Sequence, residues 1–191
     1  MVMLNLLRRI VQEVNAAPGL PQALRVIVTS VRDAMATEVC SIYLLDHDSN
    51  RYLLMATEGL HPESVGKVSL GYSEGIVGLV GMREEPLNLL DASIHPRYRF
   101  FPGIGEENFR AFLGVPIIHH RKVLGVLVVQ QQAKRLFDES EEAFLVTVSA
   151  QLAAIIAHGE ASGILSGLSF TGQRARDVCF KGAAGSNGVA I

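Results

Sequence analysis

The side chains with the clearest chemical potential lie near the middle of this 191-residue sequence. Glu74-Gly75-Ile76-Val77-Gly78-Leu79-Val80-Gly81 reads as a Gly-rich turn entering a short helix. Free backbone N–H groups at such a helix start can take a carboxylate or a phosphate. The run lacks the G-x-x-x-x-G-K-[ST] pattern of a nucleotide-binding loop, and its glycines serve equally to seat the helix close on a sheet. Arg110 is the cation best suited to an acidic metabolite, because its guanidinium fork matches a carboxylate. The alternative is a strand Arg paired with an Asp or Glu. Asp91 reads either as a cap for the turn that follows it or as a ligand contact. His119-His120 would suggest a metal only with further ligands nearby, and none is evident in sequence. Cys40 sits in a run of β-formers and reads as a small core residue.

Elements that could position these residues follow from periodicity. Leu4, Leu7, Val11 and Val14 share one helical face, Pro18, Gly19 and Pro21 break that helix, and Ala23 to Met35 gives a second one. Val39 to Leu45 and Arg51 to Thr57 form a hairpin around Asp46-His47-Asp48-Ser49-Asn50. Lys67 to Leu70 and Pro86 to Leu90 are short strands. Arg110 to Ile118 and Val123 to Gln131 form a long hairpin, and Val126 to Val129 is apolar throughout, as in a central strand covered on both faces. Asp138-Glu139-Ser140-Glu141 has the form of a capping box before a final helix with a Phe144, Leu145, Val148, Leu152, Ile155 and Ile156 stripe. The expected fold is α+β: a central antiparallel sheet of about six strands with the N- and C-terminal helices packed on one face. His95 to Asn108 is long, irregular and rich in aromatic, Arg, Pro and Gly residues, the kind of segment that covers a site. Its Tyr98, with Phe109 and Phe112 just after it, joins the candidate ligand-binding set.

Bulk composition narrows the function classes. Net charge is −2 and mean hydropathy +0.28, with hydrophobic residues at 49%. A packed core is readily filled, and the basic footprint of a nucleic-acid binder is missing. Cys40 and Cys179 lie far apart without a C-x-x-C, so a reducing cytoplasm is the default and no disulfide framework is expected. The C-terminal apolar stretch is interrupted by Gln151, His158 and Glu160, which reads as too polar to span a bilayer. No cofactor, catalytic residue or metal ligand is assigned, and no nucleic-acid or membrane partner is expected.

The order of these elements, with their local words, resembles the GAF family. Glu74-Gly75-Ile76-Val77-Gly78 before a short helix, Asp91 after Pro86-Leu87-Asn88-Leu89, Phe112-Leu113-Gly114-Val115-Pro116-Ile117 leading into Val123-Leu124-Gly125-Val126-Leu127, and Asp138 opening the last helix carry the likeness. Within it, Met55-Ala56-Thr57, Arg110 to Ile118 and Leu124 to Gln131 are similar to the N-terminal sensory region of the nitrogen-branch phosphoenolpyruvate-protein phosphotransferases, paralogues of enzyme I. Gly182 to Ile191 is similar to the opening strand of the phosphotransfer region, with Asn187 where that strand usually has Pro. On this reading residues 1–160 are a GAF sensor and 161–191 a linker toward a phosphotransfer domain. The phosphorylated His in its Gly-rich Thr-Ser-His context has no counterpart, so this segment is not expected to be an enzyme. Phe137-Asp138-Glu139 resembles the end of a cyclic-nucleotide signature whose opening Asn-Lys is replaced by Gln132-Ala133-Lys134.

The resemblance implies a ligand pocket on the face opposite the helices, between the sheet and residues 59–108. It implies glutamine as ligand, with 2-oxoglutarate as competitor or second effector. It also implies control of downstream phosphotransfer domains and of a small histidine phosphocarrier protein. The terminal helices, with their heptad-like seam, suggest a homodimer; Gly159, Gly163 and Gly167, four apart, read first as frayed linker and second as a close helix contact. The competing reading is a GAF module that only dimerises and contacts proteins, its pocket filled by Phe100, Phe101, Phe109 and Phe112. A stand-alone GAF enzyme such as a methionine sulfoxide reductase needs clustered Cys residues, and only Cys40 lies within the domain.

Overall fold

Alternation along the longest strands decides the architecture. The computed structural model describes residues 2–105 and 108–161. Among these the chain forms one six-stranded antiparallel sheet and four α-helices. Two helices lead, α1 (Val2–Asn15) and α2 (Leu20–Met35), followed by the hairpin β1 (Val39–Asp46) and β2 (Arg51–Glu58). Short β3 (Ser69–Gly71), α3 (Gly75–Arg83) and β4 (Leu87–Leu89) precede the long hairpin β5 (Ala111–His119) and β6 (Lys122–Gln131), and α4 (Glu139–Ala161) closes the domain. The strand order is β3-β2-β1-β6-β5-β4, so β1 and β6 lie at the centre.

Period-two alternation sends Ile42, Leu113, Val115, Leu127 and Val129 to the face covered by α1, α2 and α4. Tyr43, Phe112, Val126 and Val128 go to the other face, against Ile76, Val77 and Val80 of α3. Both faces of β5 and β6 are therefore dry, which is why Val126 to Val129 is apolar without a break. A bulge corrects the parity of β2. Ile42 pairs with Ala56 but Tyr43 with Leu54, so Met55 is the extra residue. Below it Tyr52 and Leu54 point toward α3, and above it Ala56 joins the helix-side core.

The helices follow their apolar stripes with two corrections to the sequence reading. α2 begins at Leu20, and Pro21 lies in its first turn, where a missing N–H costs nothing. In α1 the stripe is centred on Ile10 and Val14, with Leu6 and Leu7 partly buried beside them. α4 carries the expected capping box. The Asp138 carboxylate accepts from the Glu141 N–H at 2.9 Å, and the Glu141 carboxylate accepts from the Asp138 N–H at 2.8 Å. The stretch Glu139–Gly159 is, by length and composition, long and apolar enough to cross a membrane, so Gln151, His158 and Glu160 do not make it too polar on that measure. Its Phe144, Leu145, Val148, Leu152 and Ile156 face is packed into the core. The β5–β6 turn is only His120-Arg121, both at positive φ (48° and 61°), the mirror-image turn that suits strand twist. Gly163, Gly167, Cys179, residues 162–191 as a linker and the side chain of Leu4 lie outside the described residues.

α3 has an apolar, glycine-rich sequence because it is pressed onto the sheet. All of Gly75 to Gly81 is buried. A methyl group at Gly81 would collide with the hydroxyl of Tyr52, whose ring is fully buried under the helix. That hydroxyl has no hydrogen-bond partner among the described residues, and an unpaired buried hydroxyl costs about 1–3 kcal/mol. Two stability changes follow, both read from urea unfolding. Gly81→Ala should destabilise by about 1–3 kcal/mol through overpacking. Tyr52→Phe should leave stability unchanged or raise it, and should recover part of the Gly81→Ala loss when combined with it.

Candidate functional site

The face of the sheet opposite the three long helices holds a cavity. Its floor is Tyr43 of β1, Leu70 of β3, Phe112 of β5 and Gln130 of β6. Its side is the first turn of α3, Gly75, Ile76 and Val77, and its roof is Ala92, Tyr98, Arg99 and Phe101 from the segment between β4 and β5. Its volume is about 30 Å³, room for about two waters. Small-molecule sites run to roughly 300–1,000 Å³.

Local folding explains why α3 offers its N-terminus here. Gly75 has φ of +69°, a left-handed value that bends the chain into the helix. The side chain of Glu74, the residue before it, does not cap the helix. Instead its carboxylate turns back and accepts the Gly71 N–H at 2.9 Å. The N-cap side chain thus leaves the first turn of α3 uncapped among the described residues, and the stem of Arg99 lies beside Gly75. Floor and mouth differ in chemistry. The floor carries neutral polar groups, a phenol and a carboxamide, while the mouth carries helix amides and an exposed guanidinium.

Of the nine candidates, Gly75, Ile76, Val77, Tyr98 and Phe112 line the cavity. Glu74 borders it but is spent on the turn after β3. Phe109 is buried in a neighbouring cluster with Val39, Leu60 and Ile104. Arg110 is not among the lining residues; its backbone takes part, accepting the Ala92 N–H at 2.6 Å and donating to the Gln131 carbonyl at 2.8 Å. Asp91 has both oxygens engaged. Oδ1 accepts from the Ser93 N–H and hydroxyl at 3.1 and 2.6 Å, and Oδ2 meets Lys134 Nζ at 2.7 Å. The structure gives it the cap role. Phe101 is at the roof, while Phe100 is half exposed.

Tyr43, Arg99 and Gln130 were missed. Strand parity could have found two of them. Tyr43 is the odd member between Ile42 and Leu44, and Gln130 shares a face with Val126 and Val128 as the one polar residue there. Arg99 lies in an irregular segment with no period to read. Among the described residues no three His, Cys, Asp or Glu side chains come together to hold a metal ion, and His119 and His120 contact each other edge to face in the β5–β6 turn. Burial pushes the Cys40 thiol far up, away from the reactive thiolate.

The ammonium of Lys134 and the bonds from Ser93 hold the Asp91 carboxyl down to about 2. A depressed carboxylate adds stability above its ordinary value near 4 and loses it as pH falls through the folded value. The Asp91 tie should therefore survive to about pH 3 and fail toward pH 2. Carboxyl-carbon NMR titration of Asp91 checks this, and Asp91→Asn should flatten the lowest part of the acid unfolding curve.

Comparison with known proteins agrees with this geometry. The GAF domain family matches residues 19–156. The phosphoenolpyruvate-dependent phosphotransferase system protein of Escherichia coli strain K12 is 52% identical over 162 residues, which are 85% of this chain and 22% of that protein. The chain thus spans about a fifth of the length of the curated relatives it matches. The GAF domain of a phosphoenolpyruvate-protein phosphotransferase from Coxiella burnetii superposes with a TM-score of 0.82 at 50% identity, covering 85% of this chain and 97% of that one. The corresponding Acinetobacter domain gives a TM-score of 0.78 at 52% identity, covering 86% and 98%. The sheet with its helix layer, the small cavity on its other face and these similarities lead to one assignment: the chain belongs to the GAF family, in the group of GAF domains found in phosphoenolpyruvate-protein phosphotransferases.

Proposed function

We propose that this chain is the regulatory, small-molecule-sensing domain of a cytoplasmic phosphoenolpyruvate-protein phosphotransferase. It binds a small acidic or zwitterionic nitrogen-status metabolite, glutamine or 2-oxoglutarate, and adjusts phosphoryl transfer by downstream domains to a small histidine phosphocarrier. The observation that carries this reading is the two-part chemistry of the cavity. An unpaired carboxylate is costly in the buried floor, which is lined by the neutral side chains of Tyr43 and Gln130. The mouth suits it, with the uncapped α3 amides and Arg99. The metabolite enters by lifting the roof segment, and the terminal helices α1 and α4 serve as the dimer contact.

One observation favours a second reading. The cavity of about 30 Å³ is walled by Phe101 and Phe112, and Val146 on the outer side of α4 is exposed. A permanently closed domain that only dimerises would look the same.

A thermal-shift panel of amino acids and 2-oxo acids separates the two. A ligand at a hundred times its dissociation constant adds about 2.7 kcal/mol, a rise of roughly 5–10 °C for a domain this size. Arg99→Ala should weaken the binding of a carboxylate ligand by about tenfold or more and leave the melting temperature of the free protein unchanged, since Arg99 is exposed. No shift with any member of the panel would favour the dimerisation module.

A further inference from the structure

The roof of the cavity is fastened at two ends to different parts of the domain. At its far end His61 Nδ1 and the Gly103 carbonyl are 2.7 Å apart, and the His61 N–H donates to the Ile104 carbonyl at 3.0 Å. At its near end the fastening runs to the connection between β6 and α4. The Asn88 carboxamide donates to the Phe137 carbonyl at 2.8 Å and accepts the Phe137 N–H at 3.1 Å, so one side chain copies the pairing of a further strand. Asp91, nearly buried, meets Lys134 at 2.7 Å. Arg135, next to Lys134, forks onto both oxygens of Glu141 at 2.8 Å and lies 4.2 Å over the Phe137 ring. Glu141 in turn closes the capping box of α4.

These contacts form an unbroken run from Ala92, which lines the cavity, through Asp91, Lys134, Arg135 and Glu141 to the first turn of α4. We propose that residues 88–92 and 134–141 move as one body, so that displacement of the cavity wall at Ala92 is delivered to the start of α4. The inference rests on the proposed sensing role for its trigger, but its mechanics are those of the free protein. One charge-assisted tie, Asp91 to Lys134, and a paired carboxamide, Asn88 to Phe137, cross the junction, while the Arg135 fork onto Glu141 fastens the far side to α4; a displaced wall must break the crossing ties or carry them along. α4 then acts as a lever. Its 23 residues extend about 35 Å, so a small tilt of the first turn is enlarged at its C-terminal end. Asn88, Asp91 and Lys134 are positioning residues here, acting through the wall and the helix.

Amide hydrogen exchange of the ligand-free chain tests the coupling without depending on the identity of any metabolite. Lys134→Met should speed exchange of the Ala92 and Ser93 amides on the opposite side of the junction by on the order of tenfold, the weight of one charged hydrogen bond. Asp91→Asn should reciprocally speed the Glu141 amide in α4. The amides of α2 and β1 should keep their rates, and the double variant should exchange no faster than the quicker single one. Effects confined to the mutated side, or strictly multiplicative in the double variant, would overturn the proposal. Asn88→Ala supplies a second, uncharged break with the same expected cross-junction signature. A null result in the metabolite panel with intact cross-junction coupling would count against sensing alone.

Discussion

One sheet must be buried on both of its faces, and the rest of the molecule follows from that constraint. β5 and β6 send alternate residues to two separate apolar clusters, so neither face can be left to water. Three long helices cover one face with a broad, close-packed layer. The other face receives only the nine-residue α3 and an irregular roof. The unequal cover is what creates a site. Close-packed helices leave no room, whereas a short helix and a loop over a wide sheet enclose a pocket whose wall can move.

The division was partly legible in sequence. The stripes of α2 and α4, the Asp138 and Glu141 capping box and the β5–β6 hairpin are local signals, and the structure contains them. Strand identity was legible too, down to the unbroken apolar run that marks β6 as central. Parity in β2 was not, because the bulge at Met55 reverses which residues face the cavity. The stripe of α1 shifts toward Ile10 because its side chains meet a broad groove between α2 and α4, which no single helix reveals.

The candidate site divides along the same line. Gly75, Ile76 and Val77 could be placed because a Gly-rich helix start has a local form. The uses of Asp91 and Arg110 depend on other segments. Lys134, forty-three residues beyond Asp91, takes its carboxylate, and no spacing rule announces such a partner. Gln130 was hidden for the opposite reason. It ends a run so apolar that its single carboxamide reads as the edge of a strand, yet it is buried on the cavity floor.

The cavity of about 30 Å³ is smaller than a metabolite, so binding requires the roof to lift from the first turn of α3. Amide NMR of the chain titrated separately with L-glutamine and 2-oxoglutarate tests whether a metabolite enters there. One of them is expected to shift the Gly75 to Val77 amides together with those of Tyr98 to Phe101, saturably and with smaller changes elsewhere. Saturable shifts confined to α1 and α4, or none with either compound at millimolar concentration, would contradict it.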